Sequence, residues 1–438
     1  MSTRSQVATH EKKKRPGRKS AGIRLERKKD ASLLNWNLKR PYPPEKIRVP
    51  IPNDSLPCVH VGDAVHAGQK IAEAQGVYGV SVHAGMAGVV EKISVFPSPL
   101  GCDSLMIEIR RQGESRPVSA PEIHKGWEKI PVKELLWTFQ HSGLVTTDVW
   151  TEPVHAKLQR YSGARTIMIN GCEPEPYITC EQVLAMSHPL EILKGAEMLR
   201  KACGAEKIVF AFESSNLETI ELFKSKIYFL KWAHVETRTV PALYPQGLES
   251  MLLHDGISGE EDPAVVFPAS TAFATYETVA LGKPLYERVV TVGGECVVEP
   301  RSLWLPIGIS FHDAIHACKG VMREPNKVLM GGPMAGTAQG MTEVPVTAGT
   351  TALLALPKEV TREEQKEPCI HCNFCADHCP VSLVPAMITL AAEQKEFASA
   401  EAWEASACIE CGICSYVCPS KRPMLKLIRL ACEGVIRG

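Results

Sequence analysis

Two cysteine blocks near the C-terminus constrain this 438-residue chain more than any other feature. The first is Cys369-Ile-His-Cys372-Asn-Phe-Cys375-Ala-Asp-His-Cys379-Pro380. The second is Cys408-Ile-Glu-Cys411-Gly-Ile-Cys414-Ser-Tyr-Val-Cys418-Pro419. Each is C-x2-C-x2-C-x3-C-P, the run that holds [4Fe–4S] clusters in bacterial-type two-cluster ferredoxins. Three closely spaced thiolates on a tight loop grip three irons of a cubane. The fourth cysteine of each run reaches the other cluster. The spacing therefore predicts one ligand set of Cys369, Cys372, Cys375 and Cys418. It predicts a second of Cys408, Cys411, Cys414 and Cys379. A zinc ion usually takes four ligands from two C-x2-C pairs, which explains two such consecutive runs poorly. His371 and His378 are expected to be bystanders that tune sulfur through hydrogen bonds.

The sixteen cysteines are unevenly spread, eight of them between Cys369 and Cys418. With no apolar stretch behind the N-terminal charges, no secretory signal is expected, and thiols serve metal or redox work instead of disulfides. No apolar run reaches the length of a membrane span. Lys+Arg and Asp+Glu both total 49. Eleven of the basic residues lie in the first thirty positions, so the body is mildly acidic, which argues against a basic nucleic-acid-binding body.

The chain reads as multidomain α/β. Residues 1–35 form a basic tail expected to be disordered, because few apolar residues are present to offset ordering entropy. Such an arm suits an anionic membrane surface or an acidic partner. Residues 36–115 alternate short β-branched runs with glycine turns, a small all-β module. Residues 125–285 alternate strand and helix patterns, as in ARTIMING, HPLEILKGAEMLRKACG and EKIVFAFES, which predicts a Rossmann-like, mostly parallel sheet. Residues 286–358 return to short β segments around FHDAIHACKG. Residues 360–438 hold the cysteine blocks between helices.

Four further strings carry a resemblance. Asn170-Gly-Cys-Glu173-Pro-Glu175-Pro-Tyr177-Ile-Thr179 resembles NG-x-E-x-EPYIT of the RnfC family, and Tyr244-Pro-Gln-Gly-Leu-Glu249 resembles its YPQGGE. Gly282-Lys-Pro-Leu-Tyr-Glu287-Arg288 and Gly331-Gly-Pro-Met-Ala-Gly336 resemble its GKPL-x-ER and GGPMMG. The match runs in order from about residue 40 to the end. It implies an N-terminal barrel-sandwich hybrid, a domain like the 51-kDa FMN/NADH subunit of complex I, an SLBB-type β-grasp module and a two-cluster ferredoxin domain. VGDAVHAGQ followed by VHAGMAGVV is similar to biotinyl and lipoyl domains, yet no lysine stands at a hairpin tip between them. The first module is therefore expected to be structural.

The resemblance implies an electron-transfer subunit of an ion-pumping Rnf-type complex. Such a subunit relays electrons between NADH or a flavoprotein and ferredoxin, and binds peripherally to the cytoplasmic face of the membrane through other Rnf subunits. Two alternatives are a soluble reductase similar to PduS, acting on a cobalamin or another acceptor, and a non-catalytic iron–sulfur adaptor that has lost FMN. The implied FMN/NADH region comprises Lys157, Asn170, Glu173, Glu175 and Tyr177. Glu173 and Glu175 read equally as an acidic pair by a nicotinamide ribose or as a cap on a turn. Cys172 and Cys180 read as buried small residues.

The family's flavin loop, approximately G-[LI]-x-G-x-GGA-x-FPT-x-x-K, is degenerate here. The stretch Gly143–Lys157 keeps Pro153 and Lys157, but Val145–Glu152 contains no glycine, two acids and a tryptophan. Those glycines let backbone N–H groups wrap a phosphate. FMN bound in the family's manner is not expected, and a chain without a flavin cannot split the two electrons of a hydride.

Overall fold

The computed structural model describes residues 22–112, 126–254, 263–361 and 367–437. The chain is mixed α/β and is built from four modules in sequence.

The first is all-antiparallel. A four-stranded sheet runs in the order Lys46–Pro50, Asp103–Arg111, Gly88–Pro97, Ala64–Val65. A three-stranded sheet of Ser55–Pro57, Lys70–Ala74 and Val82–His83 accompanies it. Lys46–Pro50 alternates half-buried and buried positions, the period of a strand with one face on a core.

The second module is a four-stranded parallel sheet in the order Val235–Val240, Lys207–Glu213, Thr166–Asn170, Ala264–Pro268. Helices cover its faces, so the central strands read as unbroken apolar runs such as Ile208–Phe212. The helix Pro189–Cys203 starts on a proline and ends at Gly204, whose φ of 76° supplies the left-handed residue that stops it.

The third module is a five-stranded mixed sheet, ordered Arg301–Pro306, Glu287–Gly293, Ala352–Leu356, Lys327–Met330, Thr337–Gln339. It does not stand apart from the first. Ile47, Val49, Ile107 and Ile109 of the N-terminal sheet share one buried cluster with Val290, Val292, Leu303 and Leu305. The two β modules therefore form a single core.

The fourth module is helical, with helices Pro385–Glu393 and Met424–Arg437 packed around the cysteine loops. No helix among the described residues is long and apolar enough to cross a membrane.

The segment before the first strand departs from the expectation of disorder over 1–35. Residues 22–35 pack on the body. Ile23 exchanges two backbone hydrogen bonds with Tyr244, at 2.8 and 2.9 Å. Lys29 is buried, and its ammonium donates to the carbonyl of Glu173 at 2.5 Å. Arg27 reaches Asn216 at 2.9 Å, and Lys28 pairs with Glu295 at 2.9 Å. Charge in this segment is thus matched to named partners in the fold, which composition alone does not reveal. The rest of the expected tail, residues 1–21, lies outside the described residues.

Candidate electron-transfer site

The two cysteine blocks fold alike. In each, the residues flanking the second cysteine take left-handed backbone: His371 (φ 54°) and Asn373 (φ 63°) in the first, Glu410 (φ 55°) and Gly412 (φ 75°) in the second. Such alternation turns successive N–H groups toward the concave side of a loop. A single-turn helix follows each loop, Phe374–Asp377 and Ile413–Tyr416, carrying Cys375 and Cys414. Pro380 and Pro419 follow the last cysteine of each block, where a proline cannot extend a helix.

Cys379 of the first block lies with the second block. Together Cys379, Cys408, Cys411 and Cys414 line one cavity, closed further by Pro380, Leu383, Pro385, Ile413 and Ile428, with about 330 Å³ of empty space including its mouth. Backbone donors already point at its sulfurs: Leu383 N–H to Cys379 Sγ at 3.3 Å and Glu410 N–H to Cys408 Sγ at 3.4 Å. In the other set, burial raises the Cys375 thiol, and Cys418 and Cys369 stand near enough to raise it further.

This donor set fits iron–sulfur clusters. Burial pushes the thiols of Cys408 and Cys411 up to about 12 and 11 and raises Cys414 more. Four such sulfurs become thiolates only beside strong cationic charge, which bound metal supplies. Among the described residues no three His, Cys, Asp or Glu side chains converge on a single-ion position. The ligands of a cubane sit on four separate irons, so they stand farther apart than those of one ion.

The cavity presses against the rest of the chain. The buried phenol of Tyr244 donates to the carbonyl of Cys411 at 2.5 Å. Gly412 lies under Met334, where an added Cβ would collide with the Met334 carbonyl. Arg429, on the last helix, binds Glu410 at 2.8 Å and the carbonyl of Ala335 at 2.9 Å.

The expected FMN/NADH residues are all engaged inside the protein. Asn170 donates to the carbonyl of Gly247 at 2.9 Å. Glu173 accepts from Glu181 N–H and Gln182 N–H at 2.8 and 3.0 Å, so it caps the helix Cys180–Ser187. Glu175 accepts from Met334 N–H and Ala335 N–H at 2.8 and 3.2 Å, which ties the α/β module to the glycine loop 331–336. Its burial pushes it up to about 7, with those two N–H donors pulling the other way. Tyr177 donates to Glu295 at 2.8 Å. Lys157 is buried and binds both oxygens of Glu249, at 2.9 and 3.0 Å. Cys172 and Cys180 are buried, with thiols raised by desolvation.

Four family models match in order. They are an RnfC barrel sandwich hybrid domain (residues 18–114), a Nuo51 FMN-binding domain (140–279), an SLBB domain (289–338) and a 4Fe-4S dicluster domain (368–422). The chain is 31% identical over 375 residues to the RnfC protein of the proton-translocating ferredoxin:NAD(+) oxidoreductase complex of Clostridium ljungdahlii. That alignment covers 82% of this chain and 81% of the relative. The chain belongs to the RnfC family. As an RnfC-family chain it is also 31% identical to the corresponding protein of the Na(+)-translocating ferredoxin:NAD(+) oxidoreductase complex of Acetobacterium woodii, covering 90% and 91% of the two chains. It is 33% identical to the corresponding protein of the ion-translocating oxidoreductase complex of Rhodobacter capsulatus, covering 78% and 69%.

Within this RnfC-family fold the residues lining the Nuo51-type cleft do not fit FMN. The loop 143–157 is locked onto the start of the helix Ala269–Ala280. Thr147 N–H donates to Thr271 Oγ1 at 2.9 Å, and its hydroxyl lies 2.6 Å from Ser270 Oγ. The carboxylate of Glu181 takes Ser270 N–H at 2.7 Å and also its hydroxyl. A helix N-terminus is where a phosphate would gain most, and here a carboxylate already holds it. Lys157, the cation this loop offers, is neutralised by Glu249. Sequence reading found the missing glycines; it missed Glu181, Glu249, Thr147 and Ser270, whose contacts join residues far apart in the chain.

Proposed function

We propose that this chain is a one-electron relay subunit of a membrane-associated Rnf-type oxidoreductase complex, passing electrons between a flavoprotein and ferredoxin. The ligands are Cys369, Cys372, Cys375 and Cys418 for one cluster, and Cys408, Cys411, Cys414 and Cys379 for the other. The cavity in which Cys379 joins Cys408, Cys411 and Cys414 carries this reading, because exchange of the fourth cysteine is the signature of paired clusters held close together.

When bound, each cubane passes a single electron. The protein's part is to hold the sulfurs in a dry setting and to aim backbone donors at them. Leu383 and Glu410 N–H do so, and Tyr244 and Arg429 fix the loop from behind. The family's NADH step is assigned to a partner flavoprotein, since Glu181, Glu249 and Thr147 fill the cleft a flavin would use. The two-electron donor is then split outside this chain. The relatives' names place them in ion-translocating ferredoxin:NAD(+) complexes. By analogy we assign this chain a peripheral place on the cytoplasmic face, held by other subunits.

The test is the cofactor content of full-length protein purified without oxygen. About eight irons with matching sulfide, two interacting [4Fe–4S] signals by EPR and no acid-released flavin are expected. Stoichiometric FMN overturns the relay reading, and zinc or about four irons overturns the ligand assignment.

A further inference from the structure

The two ligand loops are alike in pattern and backbone, yet they differ in what covers them. Each position of the second loop has a counterpart in the first. Ile413 is fully buried, whereas Phe374 is 49% exposed. Cys411 is buried, whereas Cys372 is exposed. Ile409 packs with Tyr244, Leu248, Met334 and Ile23, whereas Ile370 is 65% exposed. Glu410 is bound by Arg429. The second loop is thus an apolar interface, closed by the α/β and β-grasp modules. The first repeats that interface's apolar side chains and left-handed turns and leaves them bare.

We propose that the outer loop Cys369–Cys375 is the docking edge for a small protein that carries a one-electron centre, with Ile370 and Phe374 as its apolar anchors. The inference rests on the two-cluster relay reading. Adjacent exposed Ile and Phe side chains are unfavourable in water at roughly 1.5–3 kcal/mol each relative to burial, so their retention on a loop suits a face that is covered in use. The exposed Cys372 gives the occupant's identity. It is the ligand position reachable from outside, and transfer of an electron requires the partner's centre to come near it. One electron crosses; one protein is oxidised by one, the other reduced by one, and no bond forms or breaks. The inner loop faces Tyr244 and Met334, so the chain's own body occupies the equivalent edge of the other cluster.

The test uses anaerobic full-length holoprotein with a two-[4Fe–4S] bacterial ferredoxin as carrier and methyl viologen as a small-molecule control. Ile370→Glu and Phe374→Glu, singly and together, are compared with Tyr228→Glu, an exposed aromatic on the helix Leu217–Leu230. The double variant is expected to keep both EPR signals and viologen reduction while transfer to ferredoxin falls at least ~10-fold, the equivalent of about 1.4 kcal/mol. Tyr228→Glu is expected to change neither rate. Amide exchange on the unaltered chain gives an independent readout, with ferredoxin protecting residues 369–376.

Unchanged ferredoxin transfer in the double variant overturns the inference. So does transfer by the unaltered chain without protection of 369–376, or reduction of viologen but not of ferredoxin. Protection that rises with the protein's own concentration, without carrier, also overturns it in favour of a second copy of this chain. Absence of two clusters by EPR is a separate result and strikes the relay reading itself.

Discussion

The phenol of Tyr244 donates to the carbonyl oxygen of Cys411 across 2.5 Å, joining residues 167 apart in the chain. Burial holds this tyrosine protonated, so the group is a fixed donor. Tyr244→Phe leaves the buried Cys411 carbonyl without that donor, at about 1–3 kcal/mol. Faster amide exchange at 408–414 and an altered EPR signal from one cluster are expected, with the other cluster unchanged. Equal changes in both clusters would contradict this placement.

Removing Cys379 separates the two ligand sets. Cys379→Ser takes a sulfur from the cavity it shares with Cys408, Cys411 and Cys414. The expected loss is roughly half of the iron, and the signal lost should match that of Cys408→Ser rather than Cys369→Ser. Cys432→Ser, at a thiol outside both blocks, is expected to leave iron content intact.

The ion pair of Lys157 and Glu249 is nearly dry on the lysine side, where the side chain is 4% exposed. Glu249→Ala strands that ammonium against the ring of Phe267. A loss on the order of 3 kcal/mol is expected in chemical denaturation followed by far-UV circular dichroism. A loss below about 0.5 kcal/mol would show that the pair is a solvated surface contact.

Glu175 makes the contact with loop 331–336 sensitive to pH. Burial raises it from 4.5 to about 7, so the folded chain holds this proton more tightly than the unfolded chain. Its stabilising contribution is complete below pH 4.5 and is lost as pH rises through 7. Glu181, raised to about 7 by burial, acts in the same direction. Glu175→Gln is neutral throughout and should remove on the order of 3 kcal/mol of this dependence while leaving the Glu181 share. Amide exchange at residues 331–336 between pH 6 and 8, corrected for intrinsic rates, reads it out. Identical slopes in the two proteins would show that Glu175 is not the group.

Much of the fold is legible in local pattern. The parallel sheet follows from apolar runs such as Ile208–Phe212 set between helical periods. Its fourth strand, Ala264–Pro268, is harder to read because a five-residue apolar run next to a proline does not distinguish a strand from the start of a helix. The shared core of the two β modules is not legible. It depends on which faces of Ile47–Val49 and Val290–Val292 meet, and that is a property of assembly rather than of either segment.

The sequence by itself determined the chemistry of the C-terminal module and the gap in the flavin loop. Cysteine spacing and glycine content act over a few residues, so they survive in any fold that contains them. Only the tertiary structure decided the rest: that residues 22–35 dock through Lys29, that Glu181 and Glu249 fill the cleft, and that of two equivalent loops one is buried and the other bare. Burial and charge pairing are set by residues that meet from distant parts of the chain, and a sequence pattern does not record which of them will meet.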